Sequence, residues 1–127
     1  MQAPTLATSS ESLIARGWKM THESDHVIES TWQSPSRQIL HVIQSSTRPS
    51  FLFAFNPGDS DMERIRQRRV VEPALTSVWQ RNVLSCCSQG HTVIDVGANF
   101  GWYSLLALAM GCNAAAFEPI SHWLSLI

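Results

Sequence analysis

Charge is scarce in this chain, and what there is nearly cancels. Charged residues make up 15% of the 127-residue sequence, and the formal net charge is -1. So small a balance argues against a general nucleic-acid binder or a protein held on an anionic membrane, both of which need a basic excess. Cysteine is scarce too, with only Cys86, Cys87 and Cys112 present. An odd count with two adjacent is a poor disulfide framework, so free thiols and a reducing, cytoplasmic setting are expected. Long apolar runs are missing. The longest, Leu105 to Phe117, is broken by Gly111 and Asn113, and it falls short of the roughly 20 residues that cross a bilayer. Met1 to Ser12 holds no charged-then-apolar secretion pattern and reads as a flexible N-terminal tail. There is no Asn-x-Ser/Thr acceptor, internal repeat or low-complexity tract. What is present is 44% hydrophobic content, enough to bury a core in one modest soluble domain.

Residues 13 to 59 read as a small β-rich region. Arg37 to Gln44 is rich in β-branched and apolar residues, with Val27 to Gln33 and Phe51 to Phe55 on either side. Ser34-Pro35-Ser36 and Thr47-Arg48-Pro49-Ser50 supply turns, so three antiparallel strands are expected. Asn56-Pro57-Gly58-Asp59 closes the region. Residues 60 to 127 read as helix followed by the opening of an α/β unit. Asp61 to Val71 is compatible with a helix crowded by Arg64, Arg66, Arg68 and Arg69. A better-marked helix starts at Pro73, whose fixed φ suits a first helical position, with Glu72 at the positive dipole end. Leu75, Val78, Trp79, Val83 and Leu84 recur at helical spacing, and Gly90 is a stop signal. A strand over 92–96, a helix over about 101–110 and a strand over 114–118 then predict a βαβ unit with parallel strands.

The turn inside that unit carries the chemistry. In Val93-Ile94-Asp95-Val96-Gly97-Ala98-Asn99-Phe100-Gly101-Trp102-Tyr103 a buried strand hands over to a helix within a few residues. Gly97 and Gly101 remove side chains where backbone must approach a ligand. Asn99 tolerates positive φ better than other non-glycine residues. The following helix would aim its free N–H groups at the pocket. Asp95 ends the first strand and Glu118 the second, 23 positions later. That is close to the spacing of about 20 at which an acid in such folds reaches a ribose hydroxyl. The loop reads Gly97-x-x-x-Gly101 rather than Gly-x-Gly-x-x-Gly, which disfavours a nicotinamide cofactor. An extra acid at Asp95 suits a cofactor with a cationic end.

Val93 to Leu106, together with Ala116-Phe117-Glu118-Pro119, resembles the FkbM-type branch of S-adenosylmethionine-dependent methyltransferases. Members carry an Asp-Val-Gly-Ala-Asn-x-Gly loop and a Phe-Glu-Pro after the next strand, and Val71-Glu72-Pro73 is similar more weakly. The resemblance covers about residues 92 to 119. It implies an α/β chain with a partial Rossmann-like class I methyltransferase fold, its first βαβ unit preceded by a small antiparallel β region and a helix. It implies methyl transfer to a hydroxyl oxygen of a small molecule or sugar. Asp95, Gly97, Ala98, Asn99 and Gly101 would cradle the methionine part of S-adenosylmethionine, and Glu118 would bind its ribose. No general base or other catalytic residue is assigned.

Only nine residues follow Glu118, so later strands of such a fold are expected to be missing. Two other readings therefore stand beside the enzyme: a non-catalytic fragment that binds or packs against a partner, and, less favoured, a nicotinamide-binding fragment. An uncovered sheet edge invites self-association, as would an exposed Trp123-Leu124-Ser125-Leu126-Ile127 tail. The arginine cluster reads as a solvated helix face, because Asp61, Glu63 and Glu72 lie near it. Cys86 and Cys87 read as buried or half-buried thiols at a helix end. His22, His26, His41, His91 and His122 show no metal-ligand spacing with the cysteines. The tryptophans are core or edge aromatics, with Trp102 also a candidate to line the cofactor pocket.

Overall fold

Two sheets of opposite kind divide the chain. The structure is a computed structural model and describes residues 10–24, 29–58 and 60–121. Residues 1–9 of the expected tail, Val27 and Ile28 of the first expected strand, Asp59 and the 122–127 tail lie outside the described residues, as do His26 and His122. The element order is α1 (Ser10–Ala15), β1 (Lys19–Glu23), β2 (Glu29–Gln33), β3 (Ile39–Gln44), β4 (Leu52–Phe55), α2 (Ser60–Arg68), α3 (Pro73–Ser88), β5 (Thr92–Val96), α4 (Trp102–Ala109) and β6 (Asn113–Phe117). The fold is mixed α/β, with a four-stranded antiparallel sheet in the order β1-β2-β3-β4 and a two-stranded parallel sheet, β5-β6. The helix α1 begins inside the stretch expected as tail.

Four strands stand where three were expected. β1 escaped notice because all five of its residues are exposed, so Lys19-Met20-Thr21-His22-Glu23 carries no apolar alternation. Its extended form comes from backbone pairing with β2, broken by a register shift between Met20 and His22. β3 lies in the middle, pairing Trp32 with Leu40 on one side and Ile43 with Phe53 on the other. Both faces of this sheet contribute to the core, through Trp32, Leu40 and Val42 on one and Ile43, Phe53 and Phe55 on the other.

The helix α2 is fastened to the sheet by Arg66. Its guanidinium donates to both carboxylate oxygens of Glu29, at 2.7 and 3.2 Å, and to Glu63 at 3.4 Å. A two-pronged arginine–carboxylate contact of this kind fixes orientation as well as charge. The Glu29 hydrogen bond is the largest cause of an Arg66 pKa above its ordinary value. Arg66 is therefore a tether, where a merely solvated face was expected for the cluster.

A seam of aromatic rings joins the antiparallel sheet to α4. Phe53 meets Trp102 edge-on at 5.2 Å and Phe100 at 6.1 Å, while Phe51 meets Trp102 at 4.9 Å. Such tilted and edge-to-face pairs are the favoured geometry of neighbouring rings. Trp102 is 2% exposed and its indole N–H donates to Thr76 Oγ1, which in turn donates to the Val71 carbonyl at the start of α3. Buried polar groups are thus paired in a chain from α4 through α3.

A smaller cluster sits behind the parallel sheet, where Cys87, Ala107 and Cys112 are buried against Trp79, Val83, Val93 and Ala114. Here the cysteine expectation is corrected. Cys87 and Cys112 form a disulfide with Cα atoms 4.1 Å apart, and Cys86 alone is free. The crossover through α4 returns the chain beside the end of α3, bringing together two cysteines 25 positions apart. Among the described residues no helix is long and apolar enough to cross a membrane, and no group of His, Cys, Asp or Glu could hold a metal ion.

Candidate functional site

The β5 and β6 strands pair in parallel with Asp95 opposite Ala116 and Val96 opposite Phe117. Alternation then splits their side chains between two faces. Val93 points into the cluster beneath α4, and Asp95 falls on the same side. Ile94, Val96 and Phe117 share the opposite face and are 68%, 81% and 58% exposed. The β5 strand is thus buried on one side only, where a wholly buried strand was expected.

Between Val96 and α4 the backbone turns sharply. Gly97, Asn99 and Gly101 all take left-handed conformations, with φ of 81°, 54° and 85°. Glycine meets that requirement without a Cβ penalty, and asparagine is among the few other residues that visit the region readily. A Cβ placed on Gly97 would meet no heavy atom within 4 Å, so the backbone there borders open space. Ala98 is buried and anchors the turn from below.

The turn is tied to the end of β6 by three backbone amides. Gly97 and Ala98 N–H both donate to the Phe117 carbonyl, at 2.8 and 3.2 Å. Asn99 N–H donates to Glu118 Oε2 at 2.7 Å, and Ile120 N–H donates to Glu118 Oε1 at 2.8 Å. The Glu118 carboxylate therefore clasps the turn on one oxygen and its own following segment on the other. Val96, Gly97, Ala116, Phe117, Glu118 and Pro119 line an open hollow of about 440 Å³ at this point.

The two acids singled out in the sequence do not meet. Glu118 lies in the hollow, beside Gly97. Asp95 is half-buried, and its Oδ2 accepts a 2.7 Å hydrogen bond from the Ser104 hydroxyl, which is 1% exposed in the first turns of α4. That bond braces α4 against β5 and keeps Asp95 out of the hollow's lining. Trp102 does not line the hollow either; it belongs to the aromatic seam. Gly97 borders the hollow directly, while Ala98, Asn99 and Gly101 shape the turn above it. The turn amides at 97, 98 and 99 are engaged within the protein.

Ser104 was missed in the sequence, though a signal was there. It is the one aliphatic hydroxyl in Trp-Tyr-Ser-Leu-Leu-Ala-Leu-Ala, a helix otherwise suited to burial, and a buried hydroxyl needs a partner. Tyr103 was missed as well. Its hydroxyl donates to Glu72 Oε2 at 3.3 Å and its ring lies 5.4 Å from that of Trp79. Burial, foremost, raises its pKa above 10.0, and the Glu72 charge adds to the rise. No family model, curated protein or solved structure matches the chain.

Proposed function

We propose that this chain carries the cofactor-binding turn of an S-adenosylmethionine-dependent methyltransferase of FkbM type, and that α3, β5, α4 and β6 are the first part of a Rossmann-like class I fold. The observation that carries the reading is the meeting of Gly97 and Glu118 at one hollow, at the ends of two parallel strands. Ligands of open α/β sheets lie beyond the carboxyl ends of the strands. A carboxylate there can accept from both hydroxyls of a ribose, and the open space over Gly97 admits a ligand close to the backbone. In this reading Glu118 binds the ribose, while Gly97, Ala98, Asn99 and Gly101 shape the bed for the methionine part. Asp95 acts at one remove, holding α4 in place through Ser104. The bound cofactor would supply an electrophilic methyl group for the hydroxyl oxygen of a small molecule or sugar. The protein's part is to align the two and exclude water.

A second reading, a packing module without catalysis, is favoured by the clasp itself. Both Glu118 oxygens already accept backbone N–H groups, so the carboxylate is satisfied without any ligand. Calorimetric titration of the full chain with S-adenosylmethionine and with NAD decides between the readings. The methyltransferase reading expects S-adenosylmethionine to bind, with Glu118→Ala weakening it about tenfold or more, the worth of one charged hydrogen bond. Binding of neither cofactor leaves the packing module. Binding of NAD alone favours a nicotinamide site.

A further inference from the structure

A second hollow, of about 370 Å³, lies where the β3–β4 loop meets α3 and the end of α4. Two arginines line it, Arg48 from the loop and Arg81 from α3, together with Ser77 and Gln80. Pro49, Leu84 and Met110 form an apolar wall. On α3, positions 77, 80, 81 and 84 fall on one stripe, since residues three and four apart are neighbours. The loop is pinned. Gln80 donates to the Arg48 carbonyl at 3.2 Å, and Ser46 donates through its N–H to the Arg69 carbonyl at 2.8 Å. Ser45 Oγ accepts from the Phe51 N–H at 2.9 Å.

What this hollow lacks is negative charge. The 45–51 loop, α3 and α4 carry no Asp or Glu at all. Among the described residues neither Arg48 nor Arg81 takes part in an ion pair, whereas Arg64 and Arg66 on α2 both do. The backbone carbonyls of Arg68 and Arg69 both accept from the Ser46 hydroxyl and hold the loop in place. Like charges gathered on a fixed frame repel one another and attract an anion. Arginine is the side chain best shaped to fork onto phosphate or carboxylate oxygens.

We propose that Arg48 and Arg81 form a binding site for a small phosphate monoester with an apolar body, the phosphate between the guanidinium groups and the body against Leu84, Met110 and Pro49. Two cations match a dianion better than a carboxylate. The site is separate from the glycine turn: it touches the last residue of α4, whereas the turn enters at the first, roughly 10 Å away along the helix. It would hold an anchoring group or effector rather than the reacting atoms.

Calorimetric titration of the full chain with phenyl phosphate tests this, with benzoate, inorganic phosphate and benzyl alcohol in parallel arms. Phenyl phosphate is expected to bind saturably, about tenfold tighter than benzoate or inorganic phosphate, with no binding of benzyl alcohol. The Arg48→Ala/Arg81→Ala double variant should weaken it about a hundredfold without moving the thermal midpoint, because both side chains are exposed. Phenyl phosphate that does not bind overturns the site, as does equal binding by the double variant. Benzoate binding as tightly as phenyl phosphate overturns the assignment to a dianion. Should the double variant fail to fold, the wild-type arms alone still decide.

Discussion

Tyr103 is the only tyrosine in the chain, so one spectroscopic signal reports one residue. Its neutral form is favoured by burial. A raised folded-state pKa means that the associated stability is fully present below pH 10.0 and is lost as pH climbs through the folded value. Absorbance at the phenolate band should therefore titrate above 10.0 in the folded protein. Tyr103→Phe should flatten the alkaline loss of stability, and a midpoint at the free-tyrosine value would contradict the placement. Thr76 gives a second residue-scale expectation. Thr76→Val keeps the shape but strips the buried indole N–H of Trp102 of its acceptor. Denaturant unfolding should show a loss of about 1–3 kcal/mol, while Thr76→Ser, which restores the acceptor, should recover most of it.

Among the elements, β5, α4 and β6 were legible because each is marked by its own residues. Thr92–Val96 and Asn113–Phe117 agree with the expected strands to within a residue, and α4 is bounded by Gly101 and by the Gly111 turn. The disulfide was not legible. Counting cysteines cannot say which two a crossover will bring together, and Cys86 and Cys87 look alike until α3 is seen to turn only Cys87 inward. Nor was the division of labour between the two acids legible, because strand alternation, not spacing, sends Asp95 under α4 and leaves Glu118 at the hollow. The disulfide closes a 25-residue span that contains β5, the glycine turn and α4. Chain-entropy arguments put the worth of such a closure at about 3.5 kcal/mol. A small dithiol should lower the unfolding midpoint by a corresponding amount, and Cys112→Ser should make the protein indifferent to the dithiol.

For the whole molecule, the aromatic seam makes the antiparallel sheet and the parallel unit share one core. Phe53 is fully buried, and Phe53→Ala should cost about 3–5 kcal/mol. The loss should appear equally in the circular dichroism of both halves, as one transition rather than two. Opposite the seam, the bare face of the parallel sheet carries Ile94, Val96 and Phe117. Because these side chains are already in water, Val96→Thr should change stability by less than about 0.5 kcal/mol. The Val96→Thr/Phe117→Thr pair should reduce concentration-dependent sedimentation if copies associate through that face.

The Glu118 clasp has a kinetic consequence. Where a ligand hydroxyl takes the place of the Asn99 amide on Glu118 Oε2, that amide has to let go first. Association would then have two steps, release followed by capture, and the observed rate would level off at high ligand concentration. The plateau is the opening rate of the turn, a property of the protein alone. It should be the same for every ligand that uses the site, however tightly each is finally held.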